Sequence, residues 1–484
     1  MWLQRVLRVL AGLIGLALLF HTHTAVATTG AGTEFAEEEV TVDGAGVQLP
    51  GTILLPAGED PVFGMVLVHG AGPHTQGSVR AHAEAFAELG VATLIYDKRQ
   101  AGYSEFERYY ELLAEDAVAA VETLSAHPRV DADAIGIWGL SEGAWVAPLA
   151  AASSSDIGFI VTVGASGVSP LQQTSWALDN TLADRDVTGL FGDMVTTTGL
   201  RVLRGIEVFP EADFDPVPAW KQVDVPVLAL WGAHDQTAPP TESAHIMAQA
   251  IDPSSQLSLR LLPDAGHDLN IDHPDEAPRS ELTPEYPALV VNWVDEVVNT
   301  AEPAQARDDF PAQHRTSTPL APLAWWESEW VHLVVLIVLG AGFLTYLIAR
   351  LVTWLRRRRQ PQAEGTENTG GFVAIANSRM HHGVPLTLAV SGLVVLVGFF
   401  GYYGTVMFSN AMMLGPVIGT RPVIWLLLQA LAVLTVVLVV VVAVRTVKQR
   451  RSPDTRSTSV PVVLLLITGM VFIPWAFYWG LLLP

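Results

Sequence analysis

Gly139-Leu140-Ser141-Glu142-Gly143 sets a serine between two glycines, directly after the apolar run Ile135–Trp138 and directly before an alanine-rich stretch. A nucleophile on a tight strand-to-helix turn needs small neighbours on both sides, and the helix N-terminus then lies beneath developing negative charge. Serine is a weak nucleophile at neutral pH, so it needs a base, and the base needs an orienting acid. Asp235 closes the apolar run Val225–Trp231 through Gly232-Ala233-His234. His267 follows the run Leu257–Leu262 within Asp264-Ala265-Gly266-His267-Asp268. Both stand in loops after later strands, in the order acid then histidine. Ser141, Asp235 and His267 are therefore the expected catalytic triad. Asp264, Asp268, His245 and His273 fit the strand-end positions less well.

Acyl transfer through a serine also needs preorganised donors for the tetrahedral oxyanion, one after the nucleophile and one from the loop after an early strand. Val68-His69-Gly70-Ala71-Gly72 supplies such a loop, so the backbone N–H groups of Ala71 and Glu142 are the expected oxyanion hole. His69 is read as a buttress of that loop rather than as a base.

These loops require strands and helices to hold them. Glu39–Val42 and Val47–Leu54 flank Asp43-Gly44-Ala45-Gly46, an opening hairpin. Then apolar runs at Val62–Val68, Val91–Tyr96, Ile135–Trp138, Phe159–Val163, Val225–Trp231 and Leu257–Leu262 alternate with helical stretches. The clearest of these are Ala81–Leu89, Tyr109–His127 and Pro284–Val298. Near-continuous apolar strands separated by helices describe a doubly wound α/β domain with a mostly parallel sheet, spanning residues 28–300. The interval 168–222 breaks the rhythm with short helical patterns around Trp176, Leu182 and Leu200 and reads as a small helical cap.

Residues 301–325, rich in Pro, Ala and charge, read as a linker. The remainder, 326–484, holds four apolar stretches at 331–349, 384–408, 423–444 and 460–483. Each is near or above the ~20 residues that cross a bilayer as a helix, so an all-α four-span membrane domain is expected. The basic residues Arg356–Arg359, Arg445, Lys448, Arg450, Arg451 and Arg456 fall in two loops on one side, which predicts those loops to be cytoplasmic. At the other extreme, Arg5 and Arg8 precede an apolar run closed by Ala25-Val26-Ala27, the pattern of an export signal over residues 1–27. Both signals put the α/β domain outside the cytoplasm. Trp325, Trp326, Trp330, Trp475, Tyr478 and Trp479 would form its aromatic belt.

Charge follows the same division. Between Glu34 and Glu329 there are 46 acidic and 13 basic residues, a balance of −33; the rest carries 14 basic and 3 acidic residues, +11. An acidic water-facing domain argues against nucleic acid as its partner. The chain has no cysteine, which removes thiolate catalysis and cysteine-based metal sites. No span carries an ionisable residue in its middle, which argues against ion transport. Gly340, Gly342, Gly398 and Gly401 would instead let helices approach closely, within one chain or between copies.

From about Glu37 to Asn299 the sequence resembles the α/β-hydrolase superfamily, within it the dienelactone-hydrolase-like and serine-exopeptidase-like bacterial esterases. The resemblance rests on His69-Gly70-Ala71-Gly72, the Ser141 turn, Gly232–Asp235, Gly266-His267 and Tyr96-Asp97-Lys98-Arg99-Gln100-Ala101-Gly102-Tyr103-Ser104. Relatives often have a glycine where Gln100 stands. The resemblance implies an eight-stranded sheet with a small cap, and a structural turn in which Asp97 and Arg99 form an internal ion pair. It also implies acyl transfer to water through an acyl-enzyme without metal or organic cofactor. It does not cover the four apolar helices. The expected protein is a membrane-anchored carboxylic-ester hydrolase acting on a small or lipid-like acyl substrate. Two alternatives stay open: a peptidase or amidase with the same triad, and a non-catalytic membrane sensor or scaffold that uses the fold for binding.

Overall fold

The structure is a computed structural model that describes residues 35–104, 106–273, 279–300, 305–313, 315–359, 371–450 and 459–483. The expected export signal lies outside these residues. The chain divides into two units. Of the described residues, one contains those up to Ala177 together with Glu207–Leu320; the other contains Leu178–Ile206 together with those from Ala321 onward.

The first unit is built on an eight-stranded sheet: β1 (Phe35–Gly44), β2 (Val47–Pro56), β3 (Val62–Val68), β4 (Ala92–Tyr96), β5 (Val130–Leu140), β6 (Phe159–Val163), β7 (Val227–Gly232) and β8 (Leu257–Leu262). Their order is β1-β2-β4-β3-β5-β6-β7-β8. β1 and β2 form the antiparallel opening hairpin, β2 meets β4 antiparallel, and every pair from β4 through β8 is parallel. The parallel strands are buried on both faces, as their unbroken apolar sequence requires.

On one face α1 (Arg80–Glu88) and, near the end of the unit, a helix at Tyr286–Asn299 pack through Phe86, Tyr286 and Trp293. On the other, α2 (Tyr110–Ser125) and α3 (Gly143–Ser153) pack through Tyr110, Val121 and Trp145. Crossovers connect the strands so that the loops after β3, β5, β7 and β8 all leave from the carboxyl ends of parallel strands. That is where an open α/β sheet presents a site.

After β6 the chain enters the segment expected to be a cap, 168–222, which opens with α4 (Pro170–Ala183). Its centre is one continuous helical run: α5 (Leu190–Asp193), a π-helical turn over Met194–Gly199, and α6 (Leu200–Gly205). The chain then returns through α7 (Val217–Trp220), and α8 (Pro240–Ala250) and α9 (Tyr286–Asn299) complete the unit. Residues 178–206 thus belong to the second unit and the two ends of the expected cap to the first.

Ala306–Phe310, within the expected linker 301–325, are fastened along the sheet edge. The Leu259 N–H donates to Ala306 O at 2.8 Å, the Asp308 N–H to Leu259 O at 3.0 Å, and Phe310 packs edge-on against Trp231. Backbone donors and acceptors on the outer edge of β8 explain why an aperiodic, Pro-rich sequence is held there.

The second unit contains α10 (Glu329–Arg359), α11 (Gly371–Phe408), α12 (Val423–Arg450) and α13 (Val460–Tyr478). All four are long and apolar enough to cross a membrane, with mean hydropathy of 2.4, 2.2, 3.0 and 2.3 over their candidate spans. A two-stranded turn, β9 (Val417–Ile418) with β10 (Arg421–Pro422), joins α11 to α12. Of the four glycines expected at helix contacts, Gly342 lies against Thr468 and Gly398 against Leu428, whereas Gly340 and Gly401 face open space. Gly392 against Phe343 and Gly469 against Val439 are two further close approaches. Gln429 donates to Gly480 O (3.0 Å) and Leu483 O (2.6 Å), which satisfies its amide within the bundle.

Candidate active site

Ser141 occupies the turn between β5 and α3 with φ of 53°, a left-handed conformation that costs a non-glycine residue about 1–3 kcal/mol and is kept where surroundings enforce it. The flanking glycines explain how. A Cβ on Gly139 would strike the Gly143 backbone, and a Cβ on Gly143 would come within 2.5 Å of Val68 O and 3.0 Å of His69 O. Gly143 therefore lets the start of α3 press against the end of β3. That contact brings the loop of Gly70 and Ala71 beside the serine: a Cβ on Gly70 would lie 3.6 Å from Ser141 Cβ.

Asp235 and His267 come together as expected. His267 Nδ1 lies 2.8 Å from Asp235 Oδ2, while Asp235 Oδ1 accepts the N–H groups of Thr237 (2.8 Å) and Ala238 (2.9 Å). A buried carboxylate with its second oxygen fixed by backbone donors has one direction left to present, towards the imidazole. The two loops are joined through backbone: His234 N–H donates to Ala265 O at 3.0 Å, and Gly232 has no room for a Cβ against the Ala265 and Gly266 carbonyls. Of the competing acids, Asp264 lies 3.6 Å from His273, and Asp268 accepts from Asn270.

Ser141 and His267 meet at the end of β6. The Ser141 N–H donates to Val163 O at 2.8 Å, and the next residue, Gly164 (φ 60°), lies against the His267 ring. His267 Nε2 is buried and has no hydrogen-bond partner among the described residues, so no hydrogen bond joins Ser141 to His267 here. Catalytic hydrogen bonds of this kind are commonly long before substrate binds. Burial lowers the His267 pKa, but the charge and hydrogen bond of Asp235, with Asp268 behind them, more than offset it and hold it above its ordinary value of 6.5.

Neither the Ala71 nor the Glu142 N–H has an acceptor among the described residues, which leaves both available to an oxyanion. His69 is buried, and its pKa is lowered to about 3 by that burial and by Lys98 and His74. A neutral, enclosed imidazole suits a buttress and not a base working near neutral pH.

The Asp97–Arg99 ion pair is not formed. Arg99 turns instead to Asp116 of α2, Nε to Oδ2 at 2.6 Å and Nη2 to Oδ1 at 2.7 Å, and Asp97 accepts the Gln76 N–H at 2.9 Å. Asp116 reaches back from a buried helix face, a long-range partner that no local spacing could reveal.

Sequence reasoning also missed the buried cluster beneath the serine turn. Lys98 Nζ donates to Gly70 O (2.5 Å), Tyr103 Oη (3.1 Å) and Glu142 Oε1 (2.7 Å). Tyr103 Oη accepts the Gly72 N–H (2.8 Å) and donates to Glu142 Oε1 (2.7 Å), and Arg108 Nη1 holds Glu142 Oε2 at 3.1 Å. Burial first, then Glu142, pushes the Tyr103 hydroxyl up, so it stays protonated and keeps donating. The cluster ties the residues on both sides of Ala71 to the side chain of Glu142, and so fixes both candidate oxyanion donors from below. One signal was present: a glutamate directly after the nucleophile puts negative charge where an oxyanion must form, which requires a buried cation nearby. Among the described residues no group of three or more His, Asp or Glu side chains is disposed to hold a metal ion.

Residues 65–277 match the family model described as the alpha/beta hydrolase family. The eight-stranded sheet has the α/β-hydrolase fold. Among curated proteins, the chain is 26% identical over 227 residues to Esterase EstD of Thermotoga maritima, covering 42% of this chain and 52% of the relative. It is 32% identical over 130 residues to Thiohydrolase aneE of Aspergillus aculeatus, covering 26% and 40%. The chain thus spans about half the length, or less, of the curated relatives it matches. A solved dienelactone hydrolase from Anabaena variabilis aligns at 19% identity with a TM-score of 0.34, covering 54% of this chain and 96% of that one.

Proposed function

We propose that the protein is a membrane-anchored serine hydrolase that cleaves carboxylic esters through an acyl-enzyme, with its hydrolase domain outside the cytoplasm. The observation that carries this is the His267–Asp235 pair with Nε2 left unpartnered, at the strand end that also holds the Ser141 turn. Ser141 Oγ attacks the acyl carbonyl as His267 Nε2 takes its proton. The oxyanion forms against the N–H groups of Ala71 and Glu142, and Asp235 stabilises the imidazolium. Collapse expels the alcohol, which leaves with the proton from His267; water, deprotonated by His267, then attacks the acyl-enzyme and releases the acid and Ser141. The name of the Thermotoga relative supports an ester over an amide. The two basic inter-helix loops and the export-signal pattern support the outward orientation. Nearness to a bilayer favours lipid-like acyl substrates.

The test is labelling of the full-length protein with a fluorophosphonate probe. Wild type should label, and Ser141→Ala and His267→Ala should abolish it. Folded wild type that stays unlabelled, or Ser141→Ala that still labels, removes the proposal.

A further inference from the structure

The segment Leu178–Ile206 leaves the hydrolase sheet after β6 yet packs within the helical unit. Its ring Phe191 is fully buried, 5.0 Å from Trp425 of α12 and 6.0 Å from Tyr402 of α11 between ring centroids. Gly199 abuts the Tyr403 ring, with no room for a Cβ. Polar ties frame this contact: the Thr188 N–H donates to Thr420 O (3.2 Å), Arg185 to Met412 O (2.8 Å), and Arg201 to Glu327 Oε2 (2.8 Å).

Depth can be read from the helix. Tyr402 lies six residues before Phe408, where the second candidate span ends, which is about 9 Å at 1.5 Å per residue. Trp425 lies two residues after Val423, where the third span begins, about 3 Å in, so the segment sits level with the last turns of these spans instead of resting on top of them. The end it occupies is the one without the basic loops: there the start of α10, the end of α11 and the end of α13 share an aromatic cluster in which Phe399, His332 and Tyr478 surround Trp479. While Phe191 turns inward, its neighbour Leu190 is 39% exposed, and Phe408, Met412, Met413 and Ile418 at the same end are more exposed still. A water-facing loop has no reason to present such residues together, whereas the span surfaces beside them present the same chemistry to lipid.

We infer that the helical run Leu190–Gly205, an insertion in the hydrolase domain, is an interfacial membrane element whose N-terminal end at Leu190 is covered by the acyl chains of the leaflet at that end, with Asp193 and Thr197, exposed on the same side, in the headgroup layer. It rests on reading the four helices as membrane spans, and the experiment separates the two. The chain has no cysteine, so Leu190→Cys and Val397→Cys each give one labelling site. Val397 is 66% exposed in the middle of a span. Each variant, in full-length protein in lipid nanodiscs, is labelled with an environment-sensitive fluorophore and challenged with lipids carrying a nitroxide near the headgroup or deep in the chain.

The expected result is at least about twofold quenching at 190, stronger from the shallow nitroxide, and stronger deep quenching at 397. A label at 190 quenched by aqueous iodide and indifferent to nitroxide lipid, with 397 still quenched, overturns the inference alone. A label at 190 shielded from both quenchers would be covered by protein, a second copy, and overturns it equally. Loss of lipid quenching at both sites removes the span reading and the inference with it.

Discussion

Gly164→Ala perturbs the candidate site without replacing any residue assigned a chemical role. A Cβ at this position would stand 2.6 Å from His267 Cε1, 2.7 Å from Nδ1 and 2.8 Å from the His267 carbonyl oxygen. Ordinary carbon contacts begin near ~3.5 Å, so the imidazole must retreat by roughly 0.8 Å. It cannot do so freely, because Nδ1 is held at 2.8 Å by Asp235, itself fixed by two backbone N–H groups. Gly164 also has φ of 60°, which costs alanine about 1–2 kcal/mol. A displacement of this size at a catalytic base lowers the rate about 10²-fold, or about 2.7 kcal/mol of barrier. The assay is the second-order rate of fluorophosphonate labelling, read beside the unfolding midpoint so that lost activity is separated from lost fold. Gly77→Ala is the control, since its Cβ would meet only Thr75 Oγ1 at 3.7 Å. Labelling of folded Gly164→Ala within about threefold of wild type would falsify the assignment of His267 as the base held by this packing.

Two further predictions concern the groups around the triad. Lys98→Met leaves the buried Glu142 carboxylate with Arg108 and Tyr103 alone and should destabilise the domain by about 3–5 kcal/mol while slowing labelling; adding Glu142→Gln should recover much of the stability, and a purely additive double variant in thermal unfolding would refute the coupling. Asp235→Asn should lower labelling about 10⁴-fold and move the acid limb of its pH profile down, because the carboxylate that holds the His267 pKa above 6.5 is gone. With a folded pKa above the unfolded one, the stabilising Asp235–imidazolium pair is fully present below pH 6.5 and is lost as pH rises through the folded value. The unfolding midpoint of Asp235→Asn should therefore fall furthest below wild type in acid; a constant gap across pH would remove the ion pair from the account.

The sheet and the grouping of the candidate residues were legible because both are written in local pattern. A strand buried on two faces must be apolar throughout, and a nucleophile turn must carry small flanking residues, so Ile135–Gly143 announces both at once. The expected strands at 62–68, 159–163 and 257–262 coincide with β3, β6 and β8. What escaped was decided by partners far along the chain. Arg99 chose Asp116 over Asp97 because Asp116 faces inward from α2, where an unpaired carboxylate would be costly. Lys98 and Tyr103 reach Glu142 across about 40 residues of sequence. The span 301–325 lacked periodicity, which sequence alone reads as freedom, yet the open edge of β8 gives the backbone of Ala306 and Asp308 a donor and an acceptor to hold.

The Glu142 side chain offers a reason for the buried cluster beyond packing. Its N–H faces the candidate oxyanion while its carboxylate lies behind it, so the same residue both offers a donor and opposes the charge that donor should stabilise. Alone, a buried carboxylate near the oxyanion would raise the barrier through repulsion in a low-dielectric interior. With Lys98 and Arg108 on its two oxygens, the cluster carries a net positive charge, and the repulsion becomes an attraction. Lys98 simultaneously holds Gly70 O, and Tyr103 holds the Gly72 N–H, so the loop carrying Ala71 is fastened to the same charges that tune its field. Geometry and electrostatics at the oxyanion hole are then one property of one cluster. Removing Lys98 should alter both together, and adding back neutrality through Glu142→Gln should restore the field before it restores the loop.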